Sequence, residues 1–303
     1  MIKSNTNIAA VVVTYNRLEY LKKCVDGIRK QKFPVNKIII VNNGDDIDLV
    51  NWLNAQEDVY IINQMNSGSA GGQYTGIRFA YEAGYEWIWC MDDDVVPQYD
   101  CLEILLNSSE GSVRVPLRID TQGNIDDYTA IVLDLHSLFL RDFRRKTIQS
   151  EYSSINDVPK NLEVHEFTFE GPLINRIIIE QCGFPRRDFF ISGEDTEYAL
   201  RIRYHHKYQI YLCSGALLMR LNPAKNTSFN GYRYYYLIRN LSYCYLEYGE
   251  NIFVKMHYFV YLLLSIAKNI MLFKADKKKI TMQLMSMYDV IFHRFDFPKR
   301  FIE

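Results

Sequence analysis

The amino-acid sequence predicts an α/β fold with a parallel sheet, and two observations support this prediction. Short apolar runs of strand length alternate with helix-like stretches through the N-terminal part of the chain. Each of these runs is followed directly by polar and glycine residues that are typical of turns. Strands that alternate with helices form parallel sheets with right-handed crossovers, and ligands of such sheets bind at the carboxyl ends of the strands.

The first strand and the first helix show this pattern clearly. Ile8–Val13 is an uninterrupted apolar run, as expected for a buried strand. In the helix predicted over Leu18–Gln31, Leu21, Val25 and Ile28 are spaced by three and four residues. Further strands are predicted at Lys37–Val41, Val59–Asn63 and Trp87–Met91, with a helix at Gly76–Ala83.

The second half of the chain is more mixed, and the C-terminal part is helical. Strand-like runs at Ala130–Leu140 and Ile210–Cys213 lie on either side of a helix predicted over Glu194–His205. From Tyr232 onward the sequence is rich in tyrosine and predicted to be helical. No internal repeat or low-complexity linker separates these parts.

Composition limits the classes of function. The chain has 303 residues, of which 48% are hydrophobic, so it can bury a full core. Its net charge of −1 argues against a general nucleic-acid binder, because affinity for a phosphate backbone requires a basic excess. Six cysteines without CxxC spacing favour reduced thiols over zinc sites or disulfides.

The sequence predicts a cytoplasmic protein. Residues 1–7 lack the apolar core of a signal peptide, and no apolar run reaches the length of a membrane span. Residues 253–273 come closest, but Lys255 and Lys268 interrupt them.

Three consecutive carboxylates, Asp92, Asp93 and Asp94, directly follow the predicted strand Trp87–Met91. Three adjacent like charges are costly at the end of a buried strand unless a positive charge lies among them. In an extended segment Asp92 and Asp94 point to one side and Asp93 to the other, so the first two can hold Mn²⁺ or Mg²⁺. The alternative is an acidic helix N-terminus stabilised by the macrodipole.

Polar residues also follow the other strands and are expected to converge on one crevice with the aspartates. They are Thr14-Tyr15-Asn16-Arg17, Asn42-Asn43-Gly44 and Asn66-Ser67-Gly68. The small residues Asn66–Gly72 predict a loop whose backbone N–H groups approach a diphosphate. The alternative is a tight turn packed against the sheet.

A second acidic group, Glu194 and Asp195, follows an apolar segment and a glycine. This pattern places two carboxylates at a helix start, where one can act as a general base toward a hydroxyl. The alternative is an ordinary N-cap.

The order of these motifs resembles the GT-A type glycosyltransferases of family 2, in particular the bacterial branch with galactofuranosyl- and rhamnosyltransferases. The resemblance spans about residues 8–240 and depends on motif order more than on any single motif. It is carried by Val12-Val13-Thr14-Tyr15-Asn16-Arg17, Val41-Asn42-Asn43-Gly44, Asn66 to Gly72, Asp92-Asp93-Asp94, Gly183-Phe184-Pro185, Gly193-Glu194-Asp195 and Tyr235-Tyr236-x-x-Arg239-Asn240.

The resemblance implies an inverting transfer of a sugar from a nucleotide diphosphate donor to an acceptor hydroxyl. It implies a GT-A type Rossmann-like mixed sheet flanked by helices, with a C-terminal helical extension. The implied catalytic domain covers residues 1–228, divided into a nucleotide-binding half, 1–110, and an acceptor half, 111–228. Residues 229–303 form the basic helical extension.

The resemblance also implies a role for each site residue. Asp195 is the catalytic base, aided or replaced by Glu194, while Asp92 and Asp94 hold the metal. The implied nucleotide-sugar site consists of Thr14, Tyr15, Asn16, Asn43, Asn66, Gly68, Gly71, Gly72, Asp93 and Arg239.

One stretch departs from the family pattern. Members of this branch often supply a histidine metal ligand soon after the strand that follows the base helix, but Leu212–Arg220 contains no histidine. Either fewer protein ligands hold the metal, or Arg220 supplies positive charge. His205 and His206, which precede that strand, are weak candidates.

The C-terminal extension has two interpretations. Apolar residues at helical spacing precede basic ones: Phe253, Met256, Val260, Leu263, Leu264 and Ala267, then Lys274 and Lys277-Lys278-Lys279. This pattern is compatible with a helix lying on the anionic inner face of the cell membrane. It is equally compatible with packing on the catalytic domain or on another subunit.

The function predicted from the sequence is therefore a metal-dependent glycosyltransferase of bacterial surface polysaccharide synthesis. Its expected donor is UDP-galactofuranose and its acceptor a glycan or a lipid-linked glycan. The alternatives are a dTDP-rhamnose-dependent enzyme, a nucleotidyltransferase and a non-catalytic sugar-nucleotide-binding subunit.

Overall fold

The computed structural model describes residues 6–108, 111–137, 144–222, 231–271 and 276–295. Within these ranges it contains a nine-stranded mixed sheet, a separate two-stranded ribbon and helices on both faces of the large sheet. The predicted boundaries at residues 110 and 228, and the strand prediction beyond residue 137, lie outside the described residues.

The strands are β1 (Ile8–Thr14), β2 (Lys37–Asn42), β3 (Val59–Asn63), β4 (Trp87–Asp92), β5 (Val95–Pro97), β6 (Val113–Ile119), β7 (Ala130–Leu133), β8 (Arg144–Thr147), β9 (Asn161–Val164), β10 (Leu173–Asn175) and β11 (Ile210–Arg220). The helices are α1 (Leu18–Arg29), α2 (Ile47–Asn54), α3 (Gly68–Glu82), α4 (Cys101–Asn107), α5 (Ile148–Glu151), α6 (Arg176–Cys182), α7 (Glu194–Leu200), α8 (Tyr232–Tyr248), α9 (Ile252–Met271) and α10 (Lys277–Ile291).

The large sheet has the order β3-β2-β1-β4-β10-β6-β11-β5, and β9 also pairs with β11. Its first four strands are parallel, and β1 is in register so that Val13 lies opposite both Val41 and Asp92. The carboxyl ends of β1, β2 and β4 therefore lie at one edge of the sheet. From β10 onward the pairing is mixed, with β10 antiparallel to β4 and β6.

Two hydrophobic cores cover the two faces of this sheet. Alternate residues of β1 point to opposite sides, so Ala9 and Val11 pack with α3, α6 and α7. Ile8, Ala10 and Val12 pack on the other side with α1, α2 and α4. Burial on both faces explains why β1 is an uninterrupted apolar run.

Three boundaries differ from the sequence prediction. Helix α3 begins at Gly68, not Gly76, because tertiary packing stabilises a glycine-rich turn that propensity disfavours. Strand β11 continues past Cys213 to Arg220, because it pairs along β6 through a register shift. Strand β7 ends at Leu133, shortly before the described chain stops at residue 137.

The C-terminal region is helical, as predicted from Tyr232 onward. Helices α9 and α10 both pack against α8, and the Tyr235 hydroxyl on α8 donates a hydrogen bond to Asp289 on α10. In the described ranges, no helix combines the length and the apolar character needed to cross a membrane.

Candidate functional site

The three aspartates lie where β4 ends, in the turn that leads to β5. Asp93 is fully buried, where it accepts a hydrogen bond of 2.6 Å from Thr14 Oγ1 and forms an ion pair with Arg17. Arg17 also donates to Asp94 Oδ2 at 2.8 Å. Asp93 thus points into the protein, as the alternation argument predicts.

Asp92 and Asp94 come together with a third carboxylate, Glu170, just before β10. One oxygen from each of the three lies within 4.8 Å of the other two. Carboxylate oxygens are the donors that Mg²⁺ and Mn²⁺ prefer, so these residues fit a hard divalent cation. In the described part of the chain, histidine is absent from this cluster, and the ring of His205 lies 4.9 Å from that of Tyr248.

Burial makes this group of carboxylates electrostatically unfavourable. It raises the pKa of Asp92 well above its usual range, with further contributions from Asp94 and Glu170. Burial also raises the pKa of Asp93 to about 6, although the Arg17 charge and the Thr14 hydrogen bond oppose the shift. A divalent cation bound here would relieve both penalties.

A cavity of about 510 Å³ opens beside the ends of β1, β2 and β3. It brings together the predicted nucleoside-binding residues Tyr15, Asn43 and Asn66. Asn43 is held in place on both sides, because its Nδ2 donates to Gly68 O at 2.9 Å and its Oδ1 accepts from Gln64 Nε2 at 2.7 Å. The cavity wall is completed by Gly44, Asp45, Asn63, Gln64 and Met65.

Thr14 and Asn16 act behind the cavity. The Asn16 Oδ1 atom accepts the backbone N–H groups of Asp45 and Asp46, both at 3.0 Å, and so fixes the loop after β2. Thr14 is buried and orients Asp93. Both residues therefore shape the site without lining the cavity.

The glycine-rich segment is the first part of α3, so the prediction of a loop over residues 66–72 is wrong for Gly68 onward. The N–H groups of Gly68, Ala70 and Gly71 are already used, since they donate to Asn66 Oδ1, Phe190 O and Ser67 O. Contact between this segment and a diphosphate stays a prediction.

Close packing explains two of these glycines. A Cβ atom on Gly68 would lie 1.9 Å from the Phe190 carbonyl oxygen, and Gly68 has a φ of +73°. A Cβ atom on Gly72 would lie 2.4 Å from Val13 Cγ1 on β1. These contacts bring the start of α3 against both β1 and the segment that leads into α7, as the packing alternative predicts.

Glu194 and Asp195 begin α7, but their surroundings differ. Glu194 is buried, and burial, followed by the charge of Asp195, raises its pKa to about 8. Asp195 is partly exposed, and its Oδ1 accepts the backbone N–H of Thr196 at 2.7 Å. The raised pKa favours a protonated Glu194, so the partly exposed Asp195 is the better placed of the two to accept a proton.

The segment before α7 has an uncommon backbone conformation. Phe190, Ser192 and Gly193 have positive φ values of 64°, 66° and 93°. On α8, the Asn240 Nδ2 atom donates to the carbonyl oxygens of Phe189, Ile191 and Ser192 at 3.0, 3.2 and 2.7 Å. One amide thus holds the turn that presents Asp195.

Arg239 supports the same segment. Arg239 was predicted to bind the nucleotide sugar, but it is fully buried. Its guanidinium donates to the carbonyl oxygens of Asp188 and Phe189 at 2.9 and 3.2 Å. Its side chain therefore lies beneath the base-bearing segment, where it has no exposed surface to offer a ligand.

Sequence reasoning did not find Glu170 or Asn240. Glu170 had a signal, because it is a lone charge within the apolar run Phe167–Ile174, where a carboxylate must be paired or functional. Asn240 was quoted only as part of a family motif. Its contacts join α8 to a segment about 50 residues earlier, and no local pattern reports them.

Comparison with known proteins agrees with this picture. Residues 9–162 match the family model described as glycosyl transferase family 2. The chain is 26% identical to galactofuranosyltransferase GlfT1 of Mycolicibacterium smegmatis over an alignment of 197 residues. This alignment covers 64% of this chain and 65% of that relative. It is 24% identical to dTDP-rhamnosyl transferase RfbF of Shigella flexneri over an alignment of 202 residues. This alignment covers 65% of this chain and 63% of that relative. The chain thus spans slightly under two thirds of the length of these curated relatives.

The fold also has a solved counterpart. The crystal structure of GalNAc-T7 with UDP, GalNAc and Mn²⁺ aligns with a TM-score of 0.59 at 12% identity, over 96% of this chain and 58% of that one. At this identity the likeness establishes the fold, and the predicted GT-A type architecture is confirmed.

Proposed function

The chain belongs to glycosyl transferase family 2, and on that premise we propose that it transfers a sugar from a nucleotide diphosphate donor to an acceptor hydroxyl, with inversion at the anomeric carbon. The observation that carries this proposal is the separation of two acidic groups onto different elements. One group lies at the end of β4, and the partly exposed Asp195 lies at the start of α7.

The proposed reaction assigns a task to each group. Asp195 accepts the proton of the acceptor hydroxyl while the acceptor oxygen forms a bond to the anomeric carbon. The bond from that carbon to the diphosphate oxygen breaks, and the nucleoside diphosphate leaves with the electron pair. Mn²⁺ or Mg²⁺, when bound, would neutralise the diphosphate charge, and Asp92 and Asp94 would hold it.

Donor recognition is assigned to the cavity between the ends of β1 and β3. Tyr15 is half exposed there and offers an aromatic face to the base, Asn66 offers an amide group, and Asn43 forms part of the cavity wall. We also assign Gly68, Gly71 and Gly72, at the start of α3, to the proposed nucleotide-sugar site, as the family resemblance implies.

UDP-galactofuranose is the proposed donor, and the acceptor is a glycan or lipid-linked glycan of a bacterial surface polysaccharide. The similarity to galactofuranosyltransferase GlfT1 supports this choice. The similarity to dTDP-rhamnosyl transferase RfbF makes dTDP-rhamnose the second candidate. Small differences in pocket shape separate sugars that differ only in hydroxyl pattern, so the donor must be measured.

A donor panel tests this proposal. Full-length protein is incubated with UDP- and dTDP-sugars and Mn²⁺ or Mg²⁺, and nucleoside diphosphate release is scored with and without acceptor. We expect acceptor-dependent release from UDP-galactofuranose and loss of release in EDTA. Release only from UDP-glucose or a GDP-sugar would exclude the donor assignment, and full activity in EDTA would exclude the metal.

We further propose that α9 binds an anionic membrane surface. One side of α9 packs on α8 through Val254, Phe259, Leu262 and Ile266. The other side exposes Ile252, Phe253, Met256, Val260, Leu263, Leu264, Ile270 and Met271. Packing on α8 therefore accounts for only half of this helix, and Lys268 and Lys277-Lys278-Lys279 are exposed nearby in sequence for anionic headgroups. The predicted Lys274 lies outside the described residues.

Liposome flotation with phosphatidylserine vesicles tests this partner. The double substitution Phe253→Glu and Leu264→Glu is expected to abolish flotation, because it places charge on the exposed apolar side. Ile47→Glu, at an exposed residue of α2, is the matched control and should float normally. Unchanged flotation of the double variant would exclude membrane binding by α9. Conversion of a dimer to a monomer by the same variant in the absence of lipid would instead identify this side of α9 as a contact with a second subunit.

A further inference from the structure

A network of charged side chains surrounds Asp92 and Asp94. Arg118 on β6 is almost fully buried and donates to Asp127 Oδ1 and Glu170 Oε2, both at 2.6 Å. Arg220, at the end of β11, donates to Glu170 Oε1 at 2.9 Å. Each oxygen of Glu170 therefore accepts a hydrogen bond from a different arginine.

The backbone fixes Glu170 next to β4 as well. The N–H of Gly171 donates to Cys90 O at 2.8 Å, and the N–H of Cys90 donates to Pro172 O at 3.0 Å. This pairing places Glu170 beside the strand end that carries Asp92. Both backbone and side chain thus hold the Glu170 carboxylate in one position.

The arginines leave Glu170 able to bind a cation. A carboxylate oxygen has two acceptor sites, and each oxygen of Glu170 uses one of them for an arginine. Bonds of this kind commonly orient the ligands of a metal and are nearly as important as the ligands themselves. In this network six carboxylates contact three arginines or each other, so the group keeps a surplus of negative charge. The carboxylates are Asp92, Asp93, Asp94, Asp126, Asp127 and Glu170, and the arginines are Arg17, Arg118 and Arg220.

A buried amide gives a second, independent indication of a ligand. Gln73 on α3 is fully buried, and its Nε2 atom lies 3.5 Å from Asp92 Oδ1 and 3.2 Å from Met91 O. Its Oε1 atom has no hydrogen-bond partner among the described residues. A buried, unpaired oxygen on the amide that contacts Asp92 is costly in a protein that binds nothing there.

We propose that Glu170 is a third carboxylate ligand of the divalent cation, held in its orientation by Arg118 and Arg220. This inference rests on the proposed function, which supplies the metal and its partners Asp92 and Asp94. Arg220 ends the stretch Leu212–Arg220, where the family resemblance predicts a histidine ligand. Glu170 provides the missing ligand from the bend just before β10, and Arg220 balances its charge.

Binding of Mn²⁺ to full-length protein tests the inference without an activity assay. Free Mn²⁺ is measured by electron paramagnetic resonance during titration, with and without UDP. We expect Glu170→Gln to weaken Mn²⁺ binding tenfold or more, as Asp92→Asn should. Asp126→Asn is the matched control, because it removes the same charge beside the same Arg220 and lies outside the cluster.

The outcomes are separable. Wild-type affinity in Glu170→Gln together with weak binding in Asp92→Asn would overturn the role of Glu170 and leave the proposed function intact. An absence of Mn²⁺ binding in the wild type, with and without UDP, would overturn both. If thermal melting shows that Glu170→Gln is unfolded, Glu170→Asp replaces it. This variant keeps the charge and withdraws the oxygens by one methylene, so unchanged affinity would again overturn the inference.

Discussion

The two acidic groups of this protein solve the same electrostatic problem in different ways. Around Asp92, the buried carboxylates are joined to Arg17, Arg118 and Arg220. At the start of α7, Glu194 is equally buried, yet in the described part of the chain it forms no ion pair. Burial instead raises its pKa, which favours the neutral, protonated form.

The difference indicates which group is suited to which task. The arginines around Asp92 offset the charge of Asp93, Asp94 and Glu170 and leave lone pairs for a cation, whereas burial of Glu194 favours its protonated form. In the proposed mechanism Asp195 is the base of the pair, and the raised pKa of Glu194 favours that choice. The predictions below test this division.

The largest expected effect is on catalysis. Asp195→Asn should lower kcat by a factor of about 10² to 10⁴, because it removes the general base. Glu194→Gln should stay within about tenfold of wild type, since it replaces one neutral side chain by another. Sugar transfer under saturating donor measures both, and the opposite ranking would show that Glu194 is the base.

Arg118→Met should destabilise the protein by about 3 to 5 kcal/mol, because it leaves Asp127 and Glu170 as buried charges without their partner. The free energy of unfolding in urea measures the change. Arg78→Gln is the control, since its pair with Glu82 is exposed, and it should leave the free energy of unfolding nearly unchanged. Equal effects would mean that burial of the Arg118 network contributes little.

The pH dependence of stability should identify the buried proton of Glu194. Its pKa rises from 4.5 to about 8 on folding, so the folded state binds the proton more tightly than the unfolded chain does. The contribution of Glu194 to the free energy of unfolding is therefore fully present at low pH and is lost as pH rises toward 8. Between pH 5.5 and 7.5 we expect wild type to lose about 2 kcal/mol relative to Glu194→Gln. Parallel curves for the two proteins would contradict the assigned pKa.

The smallest effect concerns the support of Asp195. Asn240→Asp keeps the shape of the side chain but removes the donor that holds three carbonyl oxygens. We expect kcat to fall about tenfold with little change in the donor KM, because a misplaced base slows the chemical step. A raised donor KM with normal kcat would instead place this residue in donor binding.

Much of the architecture follows from local sequence. The apolar run Ile8–Val13 and the helical spacing of Leu21, Val25 and Ile28 each lie within a short stretch of sequence, and they correctly predict β1 and α1. Asp92, Asp94 and Asp195 became candidates in the same way, because each stands in a short motif, and their roles stay predictions. The glycines of α3 were misread because packing against Val13 and Phe190 overrides their low helix propensity.

By itself, the sequence determined the fold class, the family and the positions of the two acidic groups. Only the tertiary structure placed Glu170 beside Asp92, Asn240 beside the segment before α7, and Glu194 in a buried environment that raises its pKa. Each of these depends on contacts between residues far apart in the chain or on burial from several sides. Such contacts leave no periodic pattern in the sequence, because the distance between two residues far apart in the chain is set by the packing of the whole domain.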